Sequence, residues 1–314
     1  MSLFPARPAP VFVSLAVSCA LLSSCGGDPL PNDPAACTPD LTGMSEAHTY
    51  ECAEQRFWQA FQHRGPERVT TYDDLQAAYD HFAPGDSTLV RERANVIFRR
   101  GQLGMAITLE QPELGSGARL DIIRAVVPAF EEVERMVPDH TIAFTWRASM
   151  EIALAHIGGD DAAAVAAYDA AEARILADPL GNGPSISGTA IGLPMRTGVP
   201  TRVMALVDGY SCTGASFCTE NTEHAPWALP GMAYHWAEHY IRVGRRDEAR
   251  AWIDRSRAAE GYDTWPQRAF VELVSNDLDG KIAEFAALGE EGSAFNRLYS
   301  NGSSGCLFCH EKLD

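Results

Sequence analysis

Basic charge is scarce in this chain. Lysine and arginine together number 25 against 42 aspartates and glutamates, leaving a formal net charge of −17 and a pI near 4.9. Nucleic acid is therefore a poor partner, because phosphate is bound by basic surface. An acidic surface serves solubility, or docks a basic redox partner. Nucleotide-binding and acyl-transfer signatures are also missing: there is no Gly-rich phosphate loop, no G-x-S-x-G and no paired-acid motif. No apolar run is long enough to span a bilayer stably; the strongest, residues 11–22, has the length of a signal-peptide core. No segment carries a convincing strand alternation, so the expected fold is all-α.

Against these absences stands Cys306-Leu307-Phe308-Cys309-His310. C-x-x-C-H is the pattern for covalent attachment of c-type haem. Two thiols three residues apart can reach the two vinyl groups along one porphyrin edge, and the next residue offers an imidazole nitrogen to iron. The sequence therefore assigns one covalent haem c to Cys306 and Cys309, with His310 as the proximal iron ligand. An ordinary cytochrome c domain draws its distal ligand from downstream, but four residues follow here. An internal sixth ligand would come from the helical body. His235 and His239, four apart on one helix face, are the best candidates, ahead of Met232, His224 and Met195. The same two histidines read equally as core or surface residues. Residues 289–305 are rich in Gly and Ser, which suggests a haem peptide that is tethered rather than embedded. A Cys306–Cys309 disulfide, or a zinc or copper site using Cys306, Cys309 and His310, is the competing use of the same atoms.

The amino terminus fits export. Arg7 supplies a positive n-region before the apolar run, and Leu22-Ser23-Ser24-Cys25 resembles a bacterial lipoprotein processing site. That resemblance implies cleavage before Cys25, lipid on its sulfur and, with Gly26 following, the outer membrane facing the periplasm. In an exported chain Cys37, Cys52, Cys212 and Cys218 remain for disulfides. Three pairings are open; Cys37–Cys52 and Cys212–Cys218 are favoured because both close short loops.

Taken in order, residues 1–24 are signal, 25–44 a Gly/Pro/Asp-rich tether, 45–288 a helical-repeat domain and 289–314 a flexible tail. A helix is expected from near Ser45 through Cys52, Phe57, Trp58 and Phe61. Thr71-Tyr72-Asp73-Asp74 reads as a capping box opening a short helix to about Phe82. Gly101 and Gly104 lie within the next helix, as a close packing or a break, and Pro128 should kink or restart the one after. Helical hairpins are expected at 141–177 and 231–259, then two short helices at 266–275 and 278–288. Trp227, Trp236, Trp252 and Trp265 read as core.

Within 231–259, Ala237, Tyr240, Gly244 and Ala249 fall at tetratricopeptide offsets, with Ala233 where the repeat has a bulky residue. From Ala225-Pro226 through Phe285, and so over roughly its C-terminal third, the chain resembles a group of exported bacterial proteins of mostly uncharacterised function. The resemblance rests on the Cys212 to Cys218 loop, Ala225-Pro226, the tetratricopeptide-like hairpin, Trp265-Pro266 and the terminal C-x-x-C-H. It implies an α-helical export product, a stack of helical hairpins ending in a haem motif, and no enzyme activity. Family members end almost directly after the motif, whereas Glu311 to Asp314 follow here. The expected function is that of a lipid-anchored, single-haem c-type protein for electron transfer or haem-linked docking with redox or assembly partners in the envelope. The alternative is a tetratricopeptide-like scaffold lipoprotein whose terminal cysteines form a disulfide or metal site.

Overall fold

The expected disulfide at the amino-terminal side is present: Cys37 is bonded to Cys52, with Cα atoms 5.1 Å apart. Cys52 lies one turn and a half into the first helix, so the bridge pins the incoming chain to it. Closing a loop of this length is worth about 3 kcal/mol through the unfolded chain. The computed structural model describes residues 37, 41–63, 65–83, 88–110, 116–138, 140, 142–177, 193, 195–209, 220–287, 309 and 310. Signal and lipidation residues up to Cys25, the Cys212/Cys218 pair and Cys306 lie outside the described residues.

Among the described residues the protein has eleven α-helices and no strand. They are α1 Glu46–Gln62, α2 Glu67–His81, α3 Val90–Glu110, α4 Ser116–Met136, α5 Ala143–Ile157, α6 Asp161–Ala177, α7 Val199–Gly209, α8 Ala228–Arg242, α9 Arg246–Ala258, α10 Arg268–Asn276 and α11 Leu278–Ala287. Packing follows chain order. α1, α2 and α3 pack together, α3 on α4, α4 on α5, α5 on α6, and α8 on α9 with α11 across α8. The all-α expectation is met.

Local signals explain most boundaries. Ser45 caps α1 by accepting from the His48 amide at 3.2 Å. Asp160 caps α6 through the Ala163 amide at 2.9 Å, directly after Gly159 turns the chain at φ +77°. Gly244 does the same between α8 and α9 at φ +74°. One expectation fails and another is narrowed. The capping box at Thr71 does not open a helix, because α2 already begins at Glu67 after Pro66 and runs through it. Thr71 and Tyr72 are instead buried on its inner face. Pro128 does not restart α4, which continues as one helix from Ser116 to Met136.

The glycines of α3 turn out to be packing positions. α3 runs unbroken, and a Cβ on Gly101 would sit 2.6 Å from the Phe130 ring of α4. On Gly104 it would sit 2.8 Å from the Tyr72 ring and 2.9 Å from Val126. Phe130 is fully buried, so it has little room to yield. Alanine normally gains about 1 kcal/mol over glycine inside a helix, but overpacking costs about 1–3 kcal/mol. Gly101→Ala is therefore expected to lower stability by up to about 2 kcal/mol, read as a lower urea midpoint; a rise in the midpoint would contradict the close α3–α4 packing.

Candidate functional site

The site is built on the last two turns of α1 and the approach to α8. α1 carries Phe57, Trp58 and Phe61 on its buried face. Their rings pack edge to face and stacked, with centroids 4.9 to 6.0 Å apart. The Trp58 indole N–H donates to Glu54 Oε2 at 3.2 Å, one turn earlier. Glu54 is gripped by Arg99 of α3 through Nε at 2.8 Å and Nη2 at 3.0 Å, and Arg99 Nη1 donates to Gln102 Oε1 at 3.0 Å. The guanidinium also lies over the Phe57 and Trp58 rings, at 4.9 and 4.7 Å. Arg99 and Glu54 are both buried, so each charge depends on the other: removing one partner of such a pair costs about 3–5 kcal/mol.

Residues 221–227 supply the opposite wall. Thr222 and Ala225 exchange backbone hydrogen bonds of 3.0 and 3.1 Å, and the Thr222 hydroxyl also accepts from the Ala225 amide. Asn221 ties the segment to α8 by accepting from the Leu229 amide at 3.0 Å. This turn presents His224. Its ring lies flat on Trp58, with centroids 4.1 Å apart and planes 1° from parallel. Its carbonyl accepts from Gln62 Nε2, at the end of α1, at 3.2 Å.

Cys309 and His310 fill the gap between these walls. The Cys309 carbonyl accepts from the Trp227 amide at 3.1 Å. The His310 ring sits 5.5 Å from Phe61 and 5.9 Å from Trp58. Its Nδ1 is 2.5 Å from the His224 carbonyl oxygen. A carbonyl only accepts, so Nδ1 carries the proton, and the lone pair of this tautomer is on Nε2. Cys309 is 4% exposed and His310 1% exposed. The expectation of a tethered rather than embedded motif therefore does not hold for these two residues. Gly/Ser composition upstream describes the chain leading in, and carries no information about what the last two motif residues dock against. The Cys309 thiol is free, and burial pushes its pKa up to about 12, so it is protonated at neutral pH.

The donor set fits c-type haem on the described half of its motif. Ligand histidines characteristically donate their second ring N–H to a carbonyl or carboxylate, which fixes the ring and raises its basicity. His310 has that arrangement, and the aromatic walls supply an apolar surround. Cys306 lies outside the described residues. Among the described residues no group of three or more His, Cys, Asp or Glu side chains is arranged to hold a metal ion.

His235 and His239 are placed elsewhere on α8. Thirteen of that helix's fifteen residues are buried. Their rings pack edge to face at 4.6 Å, and His239 also meets Trp236 at 5.7 Å. Among the described residues neither His239 ring nitrogen has a hydrogen-bond partner. They do not converge together with His310 into one metal-holding group. Met232 is buried on the same helix, and Met195 opens a short 3-10 turn at Met195–Thr197. Trp236 and Trp265 are core, with Trp227 and Trp252 packed against it, as expected.

Sequence reasoning placed Trp58 and Phe61 on a helix without linking them to the motif, did not single out Gln62, and ranked His224 only as a weak iron ligand. The structure uses the His224 carbonyl, which no side-chain pattern reveals. Comparison with protein-family models, curated proteins and solved structures found no match to the chain. Among the described residues no helix is long and apolar enough to cross a membrane.

The two α8 histidines set an acid limit on stability. Burial holds His235 down to about 4 and His239 well below its ordinary value; Glu238 opposes the shift at His235, and Arg242 adds to both. Unfolding releases both rings to bind protons near pH 6.5. Stability is then full above about 6.5 and falls as pH drops towards about 4. His235 alone accounts for a loss of about 2 kcal/mol at pH 5, and His239 adds in the same direction. Urea unfolding at pH 7 and pH 5 should show this fall, and a His235→Leu/His239→Leu double variant should flatten it. An equal fall in the double variant would assign the acid sensitivity to other groups.

Proposed function

We propose that this is a lipid-anchored, single-haem c-type protein of the cell envelope, acting in electron transfer or haem-linked docking rather than as an enzyme. The observation that carries the reading is the 2.5 Å hydrogen bond from His310 Nδ1 to the His224 carbonyl, in a C-x-x-C-H motif that follows an export-type amino terminus. Cys306 and Cys309 would hold haem c through thioethers, and His310 would ligate iron through Nε2. Haem bound there supplies one-electron exchange between ferrous and ferric iron.

The chain's own residues do the rest. His224 fixes the ring orientation and tautomer of His310. Trp58 and Phe61 exclude water around the His310 ring, which would favour the less charged, reduced state of a bound haem. Glu54 and Arg99 hold Trp58 in place from behind. The helices pack on their chain neighbours; read as a tetratricopeptide-like stack, they would present partner surface at the envelope. The disulfide between Cys37 and Cys52 accords with an oxidising compartment, and so with lipid on Cys25 and an outer-membrane site facing the periplasm.

The test is covalent haem in a host competent in cytochrome maturation. Denatured protein should stain for haem and gain the mass of one haem, and Cys306→Ala/Cys309→Ala should abolish both. Wild-type protein that is stain-negative and colourless in such a host overturns the reading.

A further inference from the structure

One acceptor, the His224 carbonyl oxygen, serves two buried donors. His310 Nδ1 reaches it at 2.5 Å and Gln62 Nε2 at 3.2 Å. Gln62 is 3% exposed, at the last residue of α1, one turn beyond Trp58. Trp58 in turn holds the His224 ring by its flat 4.1 Å stack. The same helix therefore grips both the ring and the carbonyl of His224, and faces His310 with Trp58 and Phe61.

We propose that Gln62 is a positioning residue that sets the basicity of His310 by competing for the His224 carbonyl. The step rests on the haem reading for its redox consequence, but not for the hydrogen bond itself. Electron density that the carbonyl gives to the Gln62 amide is withheld from the His310 N–H. A weaker acceptor leaves the His310 ring less imidazolate-like, and so a poorer donor through Nε2. Ferric iron is stabilised by a richer donor. Gln62 thus shifts the balance towards the reduced state, and its removal shifts the balance towards the oxidised one. A hydrogen bond of this kind changes an equilibrium by about three- to tenfold, where tenfold is about 59 mV for one electron.

Gln62→Met keeps side-chain volume and removes the amide donor; Gln62→Leu is the second variant should the first not fold. In the folded, full-length, haem-containing protein, the midpoint potential should fall by the equivalent of about three- to tenfold in the oxidised-to-reduced ratio, with haem content unchanged. A loosened site that merely admits water would also lower the potential, so a second reading is needed. With labelled histidine, the His310 Nδ1 proton should move downfield and stay protected from exchange, because its bond to the carbonyl strengthens. That measurement applies to reduced or haem-free protein alike, and so stands when the haem reading fails. A potential that is unchanged or raised, or an Nδ1 proton that moves upfield or is lost to solvent, overturns the proposal.

Discussion

The site hangs on a single backbone acceptor. The His224 carbonyl receives the His310 ring N–H and the Gln62 amide, and each wall of the pocket meets at that atom. Buried polar groups must be paired, and an imidazole with one nitrogen fixed has its tautomer fixed as well. The tight turn at 222–225, the Asn221 tie to α8 and the ring stack on Trp58 all restrain one peptide group. Shifting any of them would reorient the ring of His310 before it altered the rest of the fold.

The polar interior around this atom is costly, and the costs are met unevenly. Arg99 and Glu54 are satisfied by each other, by Trp58 and by Gln102. On α8 the account is different: Glu238 and Arg242 form a buried pair in which Glu238 Oε2 and Arg242 Nη1 have no hydrogen-bond partner among the described residues, beside a His239 with none at either nitrogen. A helix so fully enclosed would ordinarily be apolar. Its polar side chains lower the stability of the hairpin, and its two histidines make it sensitive to acid.

Much of the architecture was legible from the chain. Helical periodicity, Ser45, Gly159, Gly244 and Asp160 mark ends that the structure keeps, and loop length pointed to the Cys37–Cys52 bridge. The misreadings have local causes. Thr71-Tyr72-Asp73-Asp74 carries a capping pattern, but Pro66 followed by Glu67 starts the helix one turn earlier, and burial of Tyr72 against Gly104 keeps it wound through Thr71. Of the two outcomes open at Pro128 the restart is not taken: the proline removes one helix hydrogen bond, and the buried Val126, Phe130 and Val133 keep α4 continuous across it. The site was half legible. C-x-x-C-H names His310 by spacing. What receives His310 is a helix about 250 residues upstream and a main-chain oxygen, and neither leaves a pattern in a single sequence.

The Cys37–Cys52 bridge has a mechanical corollary. Cys52 and Gln62 are ten residues apart on α1, so about 15 Å of stiff helix separates the bridge from the His310 pocket. A pull on the chain ahead of Cys37 is delivered through sulfur to this rod, and from it to the helices packed on it. Such a load would tilt Trp58 and Gln62 as a unit against His224 and His310. Reductive cleavage of the bridge would move the point at which such a pull enters α1 from Cys52 back to Glu46, further from the contacts with His224.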